Sequence, residues 1–420
     1  LDIVGVSGQL VASIGNHVQD MNPSRAETRK SAEQERWRAL DLLRLVAVVL
    51  MVQGHVFTTL LDPELRHGAW YIRHGYVHGL TAPIFFFASG LAFGVATLGN
   101  FSVHTRWGPA TKRRFGRYGW LLFIGYMLSL PELSFRELWT SASPDTARMF
   151  FRVDALENIG VSLILVQGLV WLTKRQRRFA GSVAVLGAVF VLSAPAVWRL
   201  PVERWLPVGI AAYVNSDTGS IFPLFPWTGF LCAGVVTAYL SIDPNRGSLR
   251  RGLVWSLAGA GLFSWVVARL LQDSGVNPFG EEDYWKTSPI FFLTRLGLIL
   301  LGFAALCALE AVWSRSKRRV VTSTGAHPTG LLQRVGQETL VIYVVHLFVL
   351  YGSPVTPGLD ARYGVALSLE GASIAAALVL LISTAVAFSW SNARRRWPAG
   401  FRSFQHTLAA LVLFVALVKP

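Results

Sequence analysis

WYIRHGYVHGLTAPIFFFASG, residues 70–90, is the stretch that decides how this chain is read. Its second half opens an apolar run that continues to residue 98, and one helix across a bilayer core takes about 20 mostly apolar residues. Its first half sets His74 and His78 one helical turn apart at the mouth of that run, and another histidine, His55, closes the apolar run before it. Titratable groups in such places are expensive unless they face a polar cavity.

The pattern repeats along the chain. Of the 420 residues, 52% are hydrophobic and 15% charged, and the mean hydropathy is +0.44. A soluble domain carries about 25% charged residues, so there is too little polar surface here to keep the chain dissolved. The expected fold class is all-α, a polytopic integral membrane helical bundle of about eleven transmembrane helices. The apolar runs fall near 39–60, 77–98, 117–131, 156–173, 179–197, 221–240, 252–271, 288–312, 333–352, 367–390 and 403–418. A polar N-terminal tail, 1–36, then precedes a single transmembrane domain, 37–420. The tail has no signal-peptide pattern. Met21 begins MNPSRAETRK, and residues 1–20 are expected to be non-native upstream sequence whose removal costs nothing functional. Segment 314–331 is the expected linker inside the domain. There is no internal repeat to support an inverted-repeat transporter.

The net charge of +15 raises the question of nucleic acid. Its placement answers otherwise. RWGPATKRRFGR (106–117), KRQRR (174–178), NRGSLRR (245–251), RSKRR (315–319) and ARRRW (393–397) alternate with mixed or acidic connections such as LSFRELWTSASPD (133–145) and GEEDYWK (280–286). Basic connections are retained on the cytoplasmic side, so the N-terminus is expected inside, the C-terminus outside, and the protein in the cytoplasmic membrane with the lipid bilayer as a partner. No nucleic-acid-binding motif accompanies the basic clusters, and no nucleic acid is expected. Cys232 and Cys307 both lie in apolar runs, which leaves no disulfide framework.

In that orientation the unexpected polar residues gather at one side. His55 ends helix one, His74 and His78 begin helix two, and Asp154 and Glu157 open helix four. Arg295 lies about two turns into helix eight and His346 lies in the outer half of helix nine. Convergence of titratable groups from distant segments is what a buried site requires. Taken singly, each residue has a plainer use. A histidine at a helix mouth can be an interfacial hydrogen-bonder, Asp154 can cap its helix, and Arg295 can pair with Glu157 or Asp283. His74 and His78 would also suit two ligands of one metal, with His55, His67 or Asp154 as a third. The HxxxH spacing lacks the Glu of HExxH, however, and no metal is expected. At the inner end of helix one, Asp41 stands three residues from both Arg38 and Arg44. That is either an interfacial staple or a cationic entrance for a phosphorylated donor such as coenzyme A.

The ordered segments RALDLLRLVAVVLMVQGHV (38–56), HGLTAPIFFFASG (78–90), DALENIGVSLIL (154–165), FPLFPWTGFLCAG (222–234), TSPIFFLTRLG (287–297) and GQETLVIYVVH (336–346) resemble the heparan-alpha-glucosaminide N-acetyltransferase-like proteins, within the wider membrane-integral acyltransferases. The resemblance runs from about residue 36 to 352. It implies an enzyme that moves an acyl group, acetyl first of all, from cytosolic acyl-CoA to a hydroxyl or amine of a sugar or glycoconjugate across the membrane. It also implies a catalytic histidine near the outer ends of the first two helices. His55, His74 and His78 each match part of that expectation. Leu45 stands where a Gly is usual and Gln53-Gly54 replaces a more acidic lead, departures that touch the donor pocket more than the class.

The residues suit the chemistry on their own. Acyl transfer needs a base for the acceptor proton or a nucleophile to hold the acyl group. His55, His74, His78 and His346 are the candidates, with Asp154 to fix a tautomer. Direct transfer with His55 or His74 as base is preferred over an acyl-histidine, which stays open. Arg38, Asp41, Arg44 and Arg295 are the candidate donor-binding residues, and acetyl-CoA or another acyl-CoA is the only cofactor-like partner. A solute or metal transporter and a non-catalytic membrane subunit are the competing classes. A transporter should carry charges at the midplane, and a subunit should scatter these side chains towards lipid. Acceptor, acyl length and oligomeric state stay open, with a homodimer one option.

Overall fold

The computed structural model describes residues 37–130, 133–140, 143–242, 252–319, 335–353 and 356–419. The expected tail and most of the expected linker lie outside the described residues. Residues 314–319 are not linker, because they continue the helix before them.

Each apolar run contains a helix. The chain forms α1 (Arg38–Leu60), α2 (Ala69–His78), α3 (Thr81–Leu98), α4 (Pro109–Leu128), α5 (Ala155–Thr173), α6 (Gln176–Leu192), α7 (Leu224–Ser241), α8 (Leu253–Asp273), α9 (Pro289–Arg319), α10 (Thr339–Tyr351), α11 (Leu369–Arg396) and α12 (Pro398–Val418). Shorter helices occupy the connections, and an isolated bridge joins Leu61 to Leu367. Among the described residues, eight helices are long and apolar enough to cross a membrane, with α2 and α3 together forming one span. α4, α6 and α10 are not in that set. α4 opens with Lys112, Arg113, Arg114 and Arg117 in its first half, while α6 has 17 residues and α10 has 13.

Local signals explain the boundaries. Asp154 caps α5 and joins Glu157 in a capping box, each meeting backbone N–H groups that the first turn leaves unpaired. Pro109 and Pro398 sit at the starts of α4 and α12, where a missing N–H costs nothing. Gly79 closes α2 by donating to the Gly75 carbonyl, so the second span is broken just below the histidines.

Packing places the helices in pairs. α3 runs along α7 so closely that a Cβ on Gly90 would fall on the Leu231 carbonyl, and one on Gly234 would fall on the Phe87 carbonyl. Small residues of this kind let membrane helices approach where no hydrophobic force drives them together. α8 lies along α9, α6 along α7, α4 along α5 and α10 along α11. One core cluster joins Val48, Met51, Val52 and Val56 of α1 to Ile342 and Leu350 of α10 and Ala376 and Val379 of α11. Asn158 donates to the Phe222 and Pro223 carbonyls at 2.9 and 3.0 Å and pins the start of α7 to α5. The last helix is peripheral: 11% of its most apolar window is buried, against 67% for α7.

Candidate functional site

α1, α2 and α10 bring four of the expected histidines together. His55 Nδ1 lies 2.9 Å from His346 Nε2, with the two rings stacked at 5.2 Å between centroids. His78 meets His55 edge-on at 6.0 Å, and His74 stacks on His78 at 6.0 Å. The approach depends on Gly54, since a Cβ there would fall inside the His78 ring. The side chains are directed inwards rather than scattered, which removes the observation that would have favoured a non-catalytic subunit.

The contacts fix the tautomers. His346 Nδ1 lies 3.1 Å from the Ile342 carbonyl one turn earlier. A carbonyl only accepts, so Nδ1 of His346 carries the proton and its Nε2 is the bare acceptor. His55 must then donate from Nδ1, which leaves the lone pair on His55 Nε2, a nitrogen with no partner among the described residues. His78 is ordered the same way, its Nδ1 donating to the Leu50 carbonyl at 3.2 Å. His74 differs. Its Nε2 is engaged with Gln53 Oε1 at 3.1 Å, and its ring is enclosed by Phe57 at 5.0 Å and Tyr71 at 5.7 Å.

Arg295 reaches the back of α2. Only 1% exposed, it donates to the Tyr76 carbonyl and lies over the rings of Tyr76 at 4.2 Å and Phe291 at 5.0 Å. The expected pairing with Glu157 or Asp283 is not present. Among the described residues Arg295 has no ion-pair partner, and aromatic faces and a backbone carbonyl offset its buried charge instead.

Asp154 is placed elsewhere. Its Oδ1 accepts from Ala155 N–H at 2.6 Å as the helix cap, and burial pushes its carboxyl above the usual range. Tyr343 stands next to His346, with 5.6 Å between the ring centroids. The position expected for a tautomer-fixing carboxylate beside His55 is therefore filled by His346. Glu157 is fully buried against Gly125 and has an Oε1 without a partner.

The N-terminal end of α1 forms a separate polar cluster, about 21 Å from His55 along the helix at 1.5 Å per residue. Asp41 pairs with Arg44 at 3.6 Å, Glu310 Oε2 accepts from Ala39 N–H at 2.9 Å, and Glu338 pairs with Arg394. Arg38 is the first residue of α1. Both the staple and the entrance readings fit the Asp41–Arg44 contact. Among the described residues no three His, Cys, Asp or Glu side chains are grouped to hold a metal ion.

Sequence reasoning missed Gln53, Tyr343 and a second buried network. In that network Arg114 donates to Thr97 at 3.0 Å and to Gln167 at 3.1 Å. Gln53 and Gln167 interrupt apolar runs and carried the signal that the histidines carried.

A search of the curated proteins matches none of them. The family model described as "Heparan-alpha-glucosaminide N-acetyltransferase, catalytic" matches residues 36–268, more than half of the chain. His55, His74, His78 and Asp154 lie inside the matched stretch, and Arg295 and His346 lie beyond it. The extent of that match, together with the membrane-spanning helices and the cluster of imidazoles, shows that the chain belongs to the catalytic-domain family of the heparan-alpha-glucosaminide N-acetyltransferases, which are acetyltransferases.

Proposed function

We propose that the protein transfers an acetyl group from cytosolic acetyl-CoA to a hydroxyl or amine of a sugar or glycoconjugate on the opposite side of the cytoplasmic membrane, with His55 as the general base. The observation that carries this reading is the His55–His346–Ile342 relay, which leaves a bare His55 Nε2 next to the break between α2 and α3. The acceptor proton passes to His55 Nε2 as the acceptor oxygen or nitrogen attacks the thioester carbonyl. The C–S bond then breaks, and the departing thiolate takes that proton from the His55 imidazolium. A base of this kind contributes about 10²–10⁴ in rate.

His78 has the same open nitrogen and is the second reading, with an acyl-histidine on either ring as its covalent variant. The transporter reading loses ground because the four histidines gather in one cluster of α1, α2 and α10, apart from the charged groups at the N-terminal end of α1. Support for the donor side comes from the cationic inner end of α1. Arg38, Arg44 and Asp41 would meet the nucleotide, and the pantetheine arm would span the roughly 21 Å to His55. Eleven crossings, counting α4, α6 and α10, with the N-terminus inside and the C-terminus outside, follow from the loop charges.

The test is purified protein in nanodiscs with radiolabelled acetyl-CoA and glucosamine, compared with His55→Ala, His74→Ala and His78→Ala. Label on the sugar that depends on His55 supports the reading. Equal CoA release in all four proteins with none on sugar overturns it.

A further inference from the structure

A cavity of about 310 Å³ lies on the other side of α2 from the histidines. Tyr76 of α2, Trp265, Arg269 and Gln272 of α8, and Tyr284 and Trp285 of the α8–α9 connection line it. Ligand pockets begin near 300 Å³, so it suits one ring-sized group. Trp265, Arg269 and Gln272 recur at helical spacing and present one face of α8. Tyr76 lies two residues from both His74 and His78 on α2, the opposite face of that helix. The cavity thus sits at the same end of the bundle as the imidazoles, one helix width of about 10 Å away.

We infer that this cavity is a second sugar subsite that holds a pyranose ring of a chain acceptor while another unit of the same chain reaches His55. This rests on the proposed transfer to a sugar. Flat aromatic faces meet the C–H face of a pyranose, and amide and guanidinium groups at the rim meet its hydroxyls. The lining here has both: four aromatic rings with Gln272 and Arg269 beside them. Arg269 is held near Asp273 at 3.4 Å and near Gln272 at 3.4 Å. Its charge is offset, and the pocket favours hydroxyl groups over a free anion. Trp285 is 56% exposed and Trp265 36%, although both line a concavity. An aromatic belt at the bilayer interface would account for exposed rings, but not for their lining one cavity together with Arg269 and Gln272.

The experiment is equilibrium dialysis of radiolabelled β-1,4-linked glucosamine tetramer with the full chain in nanodiscs. It uses His55→Ala as background so that no transfer occurs, and adds Trp285→Ala and Trp285→Phe. Losing one ring-stacking contact is expected to weaken tetramer binding about ten-fold, and Trp285→Phe is expected to restore it to within about two-fold. Tetramer binding as tight in Trp285→Ala as in its parent overturns the subsite. So does displacement of co-purifying lipid, rather than of sugar, as the only effect of the substitution. Failure of the transferase reading shows separately, as absence of labelled sugar in the protein that retains His55.

Discussion

His346→Ala isolates what the imidazole relay does. His55→Ala removes the proposed base and should lower kcat by about 10²–10⁴, or roughly 3–5 kcal/mol. His346→Ala leaves the base in place and removes only the acceptor 2.9 Å from its Nδ1. A neutral hydrogen bond is worth about 0.5–1.5 kcal/mol net. The productive tautomer and ring orientation are then favoured by about two- to ten-fold less than before. We expect kcat for acetyl transfer in nanodiscs to fall about ten-fold, with KM for acetyl-CoA within about two-fold, because the proposed donor site lies at the other end of α1. His346 is fully buried, so the variant also leaves a cavity, and rates are to be normalised to folded protein by thermal unfolding. A kcat within about two-fold of the parent would show that the contact sets nothing. A loss equal to that of His55→Ala would move the base to His346. Either result refutes the tautomer argument.

Three further outcomes follow from the geometry. Asp154→Ala should lower the stability of α5 by about 0.5–2 kcal/mol as a lost cap, and Asp154→Ser should restore it, read as the unfolding midpoint; activity lost in a stable Asp154→Ser variant would give the carboxyl a chemical part. Gly54→Ala drives a Cβ into the His78 ring and should cost about 1–3 kcal/mol by overpacking along with most activity; a variant as stable and active as the parent would mean the ring moves aside freely. Cysteines introduced at Arg175 and at Ser274, the α5–α6 turn and the end of α8, should react with an impermeant thiol reagent from the cytoplasmic and the outer face respectively. The reverse pattern overturns the proposed orientation.

Much of this architecture was legible because a membrane helix announces itself by length and apolarity alone. All eleven apolar runs hold helices, eight of them long and apolar enough to cross a membrane, and Asp154 with Glu157 gave the start of α5 to within a residue. The gathering of histidines was also legible as convergence, since polar groups in apolar segments have few places to go. Their pairing was not. His55 and His346 are 291 residues apart, and no local pattern specifies which nitrogen of one ring meets the other. The Arg295 partner was missed for a related reason. A carboxylate is the usual partner for a buried cation, and a guanidinium settled among Tyr76, Trp285 and Phe291 leaves no charge pattern to read.

Two of the three elements that carry the histidines, α2 and α10, depart from a plain spanning helix, while α1 does not. α2 stops at Gly79 and α3 begins at Thr81, so backbone groups end partway along that span. At 1.5 Å per residue the 13 residues of α10 reach about 20 Å, short of a hydrocarbon core of about 30 Å. Interrupted backbone at membrane depth persists only where protein buries it or where it lines a wet cavity. Ile342 and Leu350 are packed into the core with α1 and α11, which satisfies the first condition along most of α10. Beside the α2 break, His55 Nε2 and His78 Nε2 have no hydrogen-bond partner among the described residues, which is where the proposed site would meet the second condition. On the proposed function, the irregularities of α2 and α10 are what would let an acceptor reach imidazoles inside the bundle, an opening that a continuous helix such as α5 does not offer.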